Sequence, residues 1–405
     1  MNRIVLIGNG FDLAHGLKTK YEDFINWYWD HLATRFRQNK FPVDDNLVDI
    51  AIGERFRAEA LFNHIMRLQD FDGSKFKELV INNGIAFSCS YTPFFKNIIT
   101  SIETKGWVDI ENEYYCLLKD YATKGLEKET KTLNTGLHCL QDLLVEYLNE
   151  ISKHKVEPIE LIKKEIYEPI TIKDVSIAAK DVWADSIHEW KNRNLEEWRI
   201  KLYDYGVRTD PDQNKLLSEA VKYKKTQDKL KVPVLFQLPD KIMLLSFNYT
   251  TTARQYLQQD SQVFSLNYIH GQLNQPDSII FGHGDEMDEH FKEIQNLNNE
   301  EYLKNIKSIN YMKSNNYREV LSFIESAPYQ ITIMGHSCGN SDRTLLNTLF
   351  EHDNCISIKP FYHVKEDGSD NYLELVQNIS RNFKDMKLMR DRVVNKTYCE
   401  PMSKK

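Results

Sequence analysis

The chain has 405 residues, enough for two or three domains at ~150 residues each, which excludes a lone mini-domain. Lys and Arg number 52 against 59 Asp and Glu, a net charge of −7, so no global basic surface exists for phosphate and nucleic acid is not expected as a partner. With 41% apolar and 12% aromatic residues and only 16 Gly and 11 Pro, the composition is that of a folding globular protein, neither disordered nor fibrous.

Arg3 to Ile7 is a β-branched apolar run closed by Gly8-Asn9-Gly10, a pattern that predicts a buried parallel strand feeding a tight loop. Its apolar part, Ile4-Val5-Leu6-Ile7, is shorter than the roughly 7–15 residues of a signal-peptide core. No apolar stretch approaches the ~20 residues of a membrane span, so a soluble, cytoplasmic protein without a membrane partner is expected. The residues from Tyr21 to about Lys231 have a different texture. Apolar side chains recur at helical spacing around Phe56–Leu68 (Leu61, Phe62, Ile65, Met66, Leu68) and between Leu137 and Ile151 (Leu137, Leu140, Leu144, Tyr147, Leu148, Ile151). The segment is charge-rich, as at Lys222-Tyr223-Lys224-Lys225, and Pro233 and Pro239 mark its exit. Three more strands are expected: Lys241–Phe247 ending in Asn248-Tyr249-Thr250, Ser278–Phe281 ending in Gly282-His283-Gly284, and Gln330–Met334 ending in Gly335-His336-Ser337. The reading is an α/β chain in which residues 1–20 and 232–405 form a discontinuous parallel-sheet domain and 21–231 a mainly helical insertion. In such sheets the ligand crevice lies beyond the carboxyl ends of the strands, where these polar clusters fall. Cys89, Cys116, Cys139, Cys338, Cys355 and Cys399 stand far apart without C-x-x-C spacing; free thiols in a reducing compartment and no metal are expected.

Gly8-Asn9-Gly10-Phe11-Asp12-Leu13 reads either as a loop that sets backbone N–H groups against a phosphate or as a strand-to-helix turn that needs glycine only for backbone freedom. The ordinary dinucleotide fingerprint has a third glycine where Leu13 stands and an acidic residue ~20 positions on, where Tyr21-Glu22-Asp23-Phe24-Ile25 has helical texture instead. A further glycine, Gly16, is followed by Leu17. Together, Gly8-x-Gly10-x-x-x-x-x-Gly16-Leu17 resembles the first NAD-binding loop of sirtuins. In the same order, Ser246-Phe247-Asn248-Tyr249-Thr250 is similar to the sirtuin T-Q-N-x-D segment, Ile269-His270-Gly271 to the segment carrying the catalytic histidine, and Gly335-His336-Ser337 to the late G-T-S. More specifically, Asn2 to Leu17, Trp107-Val108-Asp109-Ile110-Glu111, Phe247-Asn248-Tyr249-Thr250, Ile269-His270-Gly271, and Gly335-His336-Ser337 with Asp342 resemble the AbiH family of bacterial phage abortive-infection proteins.

The resemblance implies a sirtuin-like, Rossmann-type core that takes NAD as a substrate and splits its nicotinamide–ribose bond during antiphage defence. It makes Asn248 and His270 catalytic, Asn248 by holding the ribose or a water and His270 as general base. Gly8, Asn9 and Gly10 would cradle phosphate; Asp12, Gly16, Thr250, Gly335, His336 and Ser337 complete the nucleotide site, with Ser337 on the adenosine side. The zinc ribbon of protein-deacylating sirtuins is missing, and Thr250 stands where they place aspartate. Water, in place of an acyl-lysine peptide, is then the simplest acceptor. The partners implied are a small-molecule nucleotide and a phage-derived activator; a homo-oligomer stays open.

Each assignment has a plainer alternative. Asn248 precedes an expected helix over Thr251–Leu257 and is placed to cap it. His270-Gly271 reads equally as a turn, and Asp12 as a ribose or metal contact or as the cap of the following turn. Asp109 and Glu111 face one side if extended and part if helical. The run from His283 to His290 has metal-ligand residue types at no standard spacing and reads as a solvated acidic loop. Two other functions compete: a non-catalytic module that binds an ADP-ribose-type nucleotide, and a nuclease working through Asp12, Asp109, Glu111 and His270 with a divalent metal.

Overall fold

A computed structural model describes residues 1–38, 40, 42–52, 71–82, 86–105, 108–153, 156–225, 231–258 and 261–402. The helical pattern expected over Phe56–Leu68 and the Trp107 position lie outside them. The chain forms two compact units, one made of Met1–Leu17, Lys155–Ile279 and Tyr311–Lys405, the other of Lys18–His154 and Ile280–Asn310.

The first unit is built on five parallel strands: β1 Asn2–Ile7, β2 Ile242–Ser246, β3 Phe264–Tyr268, β4 Tyr329–Met334 and β5 Cys355–Phe361. They lie in the order β3-β2-β1-β4-β5, so the direction of winding reverses between β1 and β4. Every residue of β1, β2, β4 and β5 is buried, as expected of strands covered on both faces. Three of the five match the expected runs. The strand expected at Ser278–Phe281 does not form: Pro276 starts a single 3-10 turn, and the Ser278 and Ile279 amides bond Gln275 and Pro276 carbonyls, leaving nothing to ladder. In β5 the pattern is broken by Pro360, which is tolerated because β5 is an edge strand.

Helices Lys180–Asn192, Leu195–Asp204 and Asp210–Lys225 also belong to this unit. Trp183, Ile187, Trp190, Trp198 and Leu202 share one core with Met1, Leu235 and Ile356. Lys201 reaches Asp240 at 3.0 Å, and Asp240 also binds the N-terminal ammonium. Buried Arg3 donates to the Gln330 side chain and to the Ile166 and Glu168 carbonyls, which pins the preceding segment under the sheet.

The second unit contains helices Tyr21–Arg37, Gly73–Asn82, Pro93–Lys105, Ile110–Lys124 and Glu127–Ile151, with a small antiparallel sheet of Val43–Asp44, Val48–Ile52 and Phe87–Tyr91. The expected face of the long helix is the buried one: Leu137, Leu140, Leu144, Tyr147 and Leu148. Residues Ile280–Asn310 join this unit through buried polar ties. Lys307 Nζ lies 2.8 Å from Glu111 Oε2, the Gly282 amide donates to Glu111 Oε1 at 3.2 Å, and Asn305 Nδ2 donates to Asn134 Oδ1 at 3.1 Å. The units thus divide the chain differently from the expected spans, 1–20 plus 232–405 and 21–231. Residues 155–231 pack with the sheet, and 280–310 with the helices.

Candidate functional site

Strand register sets the site of the first unit. Ile7 pairs with Ser246 on one side and Met334 on the other, and Ser246 pairs with Tyr268, so β3, β2, β1 and β4 end in one row. The ladder runs one residue further: Phe247 donates to the Ile7 carbonyl, Gly8 to Met334 and Ile269 to Ser246. The second residue past each strand is then His270, Asn248, Asn9 and His336, four of the residues expected in the site, aligned at the carboxyl edge of the sheet.

The glycines are explained by packing. The loop after β4 presses on the loop after β1 so closely that a Cβ on Gly335 would sit 2.1 Å from the Phe11 amide nitrogen, and one on Gly8 2.5 Å from His336 Cα. Gly335 also has φ +75°, where a side chain is strained. The Gly8 and Gly10 amides donate to the Met334 and Gly335 carbonyls at 3.2 and 2.8 Å, so both are already committed within the fold. Gly16 closes helix Asn9–Ala14: its amide bonds Leu13 O, and that of Leu17 bonds Asp12 O, a Schellman motif around a residue at φ +80°. Asn9 and Ser337 are exposed on the two facing loops.

Behind these loops, Asp12 is only 2% exposed. Thr250 Oγ1 donates to its Oδ2 at 2.6 Å, whereas its Oδ1 is buried with no hydrogen-bond partner among the described residues. Burial pushes the carboxyl up from 3.8 to about 6, opposed chiefly by the Thr250 hydrogen bond. Asn248 does not cap the following turn, which runs from Thr252 to Tyr256 with Thr251 before it; its Nδ2 donates to the Gly8 carbonyl at 3.0 Å. The side chain therefore ties the β2 loop to the β1 loop.

Beyond β3 the backbone does turn, with the Gly271 amide on Tyr268 O, but the His270 side chain has an environment of its own. Its Nε2 lies 3.2 Å from Asp342 Oδ1 and 3.4 Å from the Tyr311 hydroxyl. Asp342 Oδ2 lies 3.4 Å from Nε2 of His336, whose Nδ1 accepts from the Cys338 amide at 2.9 Å. Phe247 packs against both rings, edge-on to His270 at 5.2 Å and 4.1 Å from His336 between centroids. All three polar residues are buried. A carboxylate between two imidazoles is an arrangement for moving protons. The sequence named Asp342 only alongside Gly335-His336-Ser337, without a role; its place between the two imidazoles comes from the fold.

The family described as "Bacteriophage abortive infection AbiH" matches residues 4–363. The chain belongs to the AbiH family. Membership implies a role in phage abortive infection. No curated protein and no solved structure gives a significant match. In this AbiH chain no described helix is long and apolar enough to cross a membrane.

The second unit of the AbiH chain holds the remaining candidates. Asp109 caps helix Ile110–Lys124 through the Asn112 amide at 3.0 Å, and Glu111, one step into the helix, turns inward to Lys307. Asp109 stands just outside the helix and Glu111 within it, and the two acids part. The His283–His290 run also divides: His283 stacks on Tyr115 at 3.9 Å in the interior, whereas Asp288 caps helix Glu289–Asn296 and pairs with Lys119 at 3.0 Å. His290 is exposed beside Glu293. Among the described residues, no group of three or more His, Cys, Asp or Glu side chains is arranged to hold a metal ion.

Proposed function

We propose that this protein hydrolyses NAD or a related dinucleotide at the nicotinamide–ribose bond, and that loss of the nucleotide arrests growth of an infected cell. The observation that carries the reading is the row at the carboxyl edge of the sheet, where His270, Asn248, Asn9 and His336 each stand two residues past a strand, with Asp12 buried in the helix that begins at Asn9. The strand order supports a Rossmann-type, sirtuin-like core, in which dinucleotides lie across the point where winding reverses.

In the proposed step the C1′–N bond breaks with its electron pair going to the nicotinamide nitrogen, and the ribose passes through an oxocarbenium-like state. A water oxygen bonds to C1′ while His270 takes its proton. Asn248, held by its Nδ2 on Gly8, offers its Oδ1 to that water. Asp12 Oδ1 is the acceptor for a ribose hydroxyl, since a buried oxygen without a donor gains a full hydrogen bond from one. With the Gly8 and Gly10 amides committed, Asn9 and Ser337 are the loop residues that face the rest of the nucleotide.

The test incubates the purified chain with NAD, with and without extract of phage-infected cells, and measures nicotinamide by chromatography. Turnover is expected, reduced about 10²–10⁴-fold in His270→Ala and Asn248→Ala. NAD left intact in every condition, or full activity in both variants, refutes the proposal. Tight binding without turnover identifies a nucleotide-binding module instead, and cleavage of nucleic acid that depends on a divalent metal identifies a nuclease.

A further inference from the structure

Asp342 immediately precedes helix Arg343–Glu351, at the position where aspartate ordinarily accepts a hydrogen bond from the first turn. Its side chain makes no such cap. A surrendered cap forgoes a hydrogen bond at the helix start, and local rules of this kind are broken chiefly at functional or strained sites. The carboxylate turns instead between two imidazoles, Oδ1 to His270 and Oδ2 to His336.

The hydrogen-bond inventory fixes what this arrangement does. An ionised carboxylate only accepts, so a ring nitrogen facing it carries a proton. In His336 the same conclusion follows independently, because Nδ1 accepts from the Cys338 amide and the ring proton must sit on Nε2. In His270 it is again Nε2 that faces the carboxylate, so a proton on Nε2 is the tautomer the carboxylate favours, with the lone pair on Nδ1. The separations of 3.2 and 3.4 Å are ion-pair distances that a true hydrogen bond would shorten, as is common before a substrate closes the site. Packing supports the same geometry: the His270 ring is nearly parallel to Tyr311, 9° apart, and Tyr311 stacks in turn on Tyr317 at 5.3 Å.

We infer that Asp342 is a positioning residue that holds His270 with its proton on Nε2 and its basic lone pair on Nδ1, and that His336 clamps the second carboxylate oxygen rather than touching the nucleotide. The inference rests on the reading of His270 as the base. The cost of losing such a partner is the population of the wrong tautomer, which in comparable acid–histidine pairs lowers kcat by up to about 10⁴ while substrate binding is spared.

The experiment records nitrogen–proton correlations of the imidazoles in histidine-labelled full-length protein, assigned with His270→Gln and His336→Gln, for wild type, Asp342→Asn and Asp342→Ser. NAD turnover is measured on the same samples. Serine restores a helix cap without a carboxylate, so a structural role for Asp342 is rescued by it and a positioning role is not. Asparagine presents an N–H₂ to His270 and selects the opposite tautomer. The expected result is an Nε2–H tautomer at both histidines in wild type, appearance of Nδ1–H at His270 in both variants, and a kcat at least about 10²-fold lower with KM nearly unchanged. A His270 tautomer that stays the same in both variants overturns the inference, as does normal kcat in Asp342→Ser. If wild type consumes no NAD, the proposed reaction falls, and the tautomer spectra still decide what Asp342 does to His270.

Discussion

Replacing Asp12 by asparagine should change how the stability of the protein depends on pH. Burial lifts the folded-state carboxyl from 3.8 to about 6, a difference of about 2 units or about 3 kcal/mol at 1.36 kcal/mol per unit. Because the folded value is the higher one, the folded state holds the proton more tightly than the unfolded chain does. The stabilisation is complete below about pH 4 and is lost as pH rises through about 6, where the buried group ionises. Asparagine keeps the size and an acceptor for Thr250 but does not titrate. Whatever constant offset the substitution brings, the stability of Asp12→Asn relative to wild type is predicted to rise by about 2–3 kcal/mol between pH 4 and pH 7. Urea unfolding of both proteins, followed by circular dichroism at pH 4, 5, 6 and 7, measures that difference. A difference in stability, variant minus wild type, that is the same at all four values, or that falls as pH rises, would show that Asp12 is not held as described.

Three further substitutions test other parts of the structure. Gly335→Ala adds a Cβ 2.1 Å from the Phe11 amide at a positive φ, so it is expected to cost at least about 2–3 kcal/mol and to lower the thermal midpoint; an unchanged midpoint contradicts the close approach of the two loops. Gly16→Ala sits at φ +80° in open space and should cost only about 1 kcal/mol by the same measurement, a contrast that separates backbone strain from collision. Glu111→Ala takes from buried Lys307 its carboxylate at 2.8 Å and should destabilise by about 3–5 kcal/mol, with part regained in Glu111→Ala combined with Lys307→Met; equal losses in single and double variants would argue against the pair.

Local patterns carried some parts of this molecule and not others. The strand ending at Ile7 and the clusters after Ser246 and Met334 were readable because an all-apolar β-branched run followed by glycine or asparagine has few other solutions. Strand β5 was hidden by Lys359 and Pro360, whose placement depends on partners such as Glu168 and on an edge position that only the assembled sheet defines. The attachment of 280–310 to the helices rests on Glu111 and Lys307, 196 residues apart, and no periodicity records such a pair. The three helices before Pro233, two of them carrying tryptophans, have the texture of an independent bundle, and only their core shared with Met1 and Ile356 assigns them to the sheet. At the site, order along the chain brought Asn248 and His270 to one row, whereas the commitment of the Gly8 and Gly10 amides to the neighbouring loop is a contact that no motif records. Asp342 was named with Gly335-His336-Ser337, but its pairing with two imidazoles is seen only in the folded chain.

The central claim is that His270 and Asn248 serve the breaking of a nicotinamide–ribose bond. The most direct measurement quantifies NAD, nicotinamide and ADP-ribose by mass spectrometry in phage-challenged cells expressing wild type, His270→Ala or Asn248→Ala at equal protein levels. A fall in NAD with matching rises in nicotinamide and ADP-ribose is expected in wild type alone. NAD that stays constant while wild type still protects the culture, or that falls equally in all three, would contradict it.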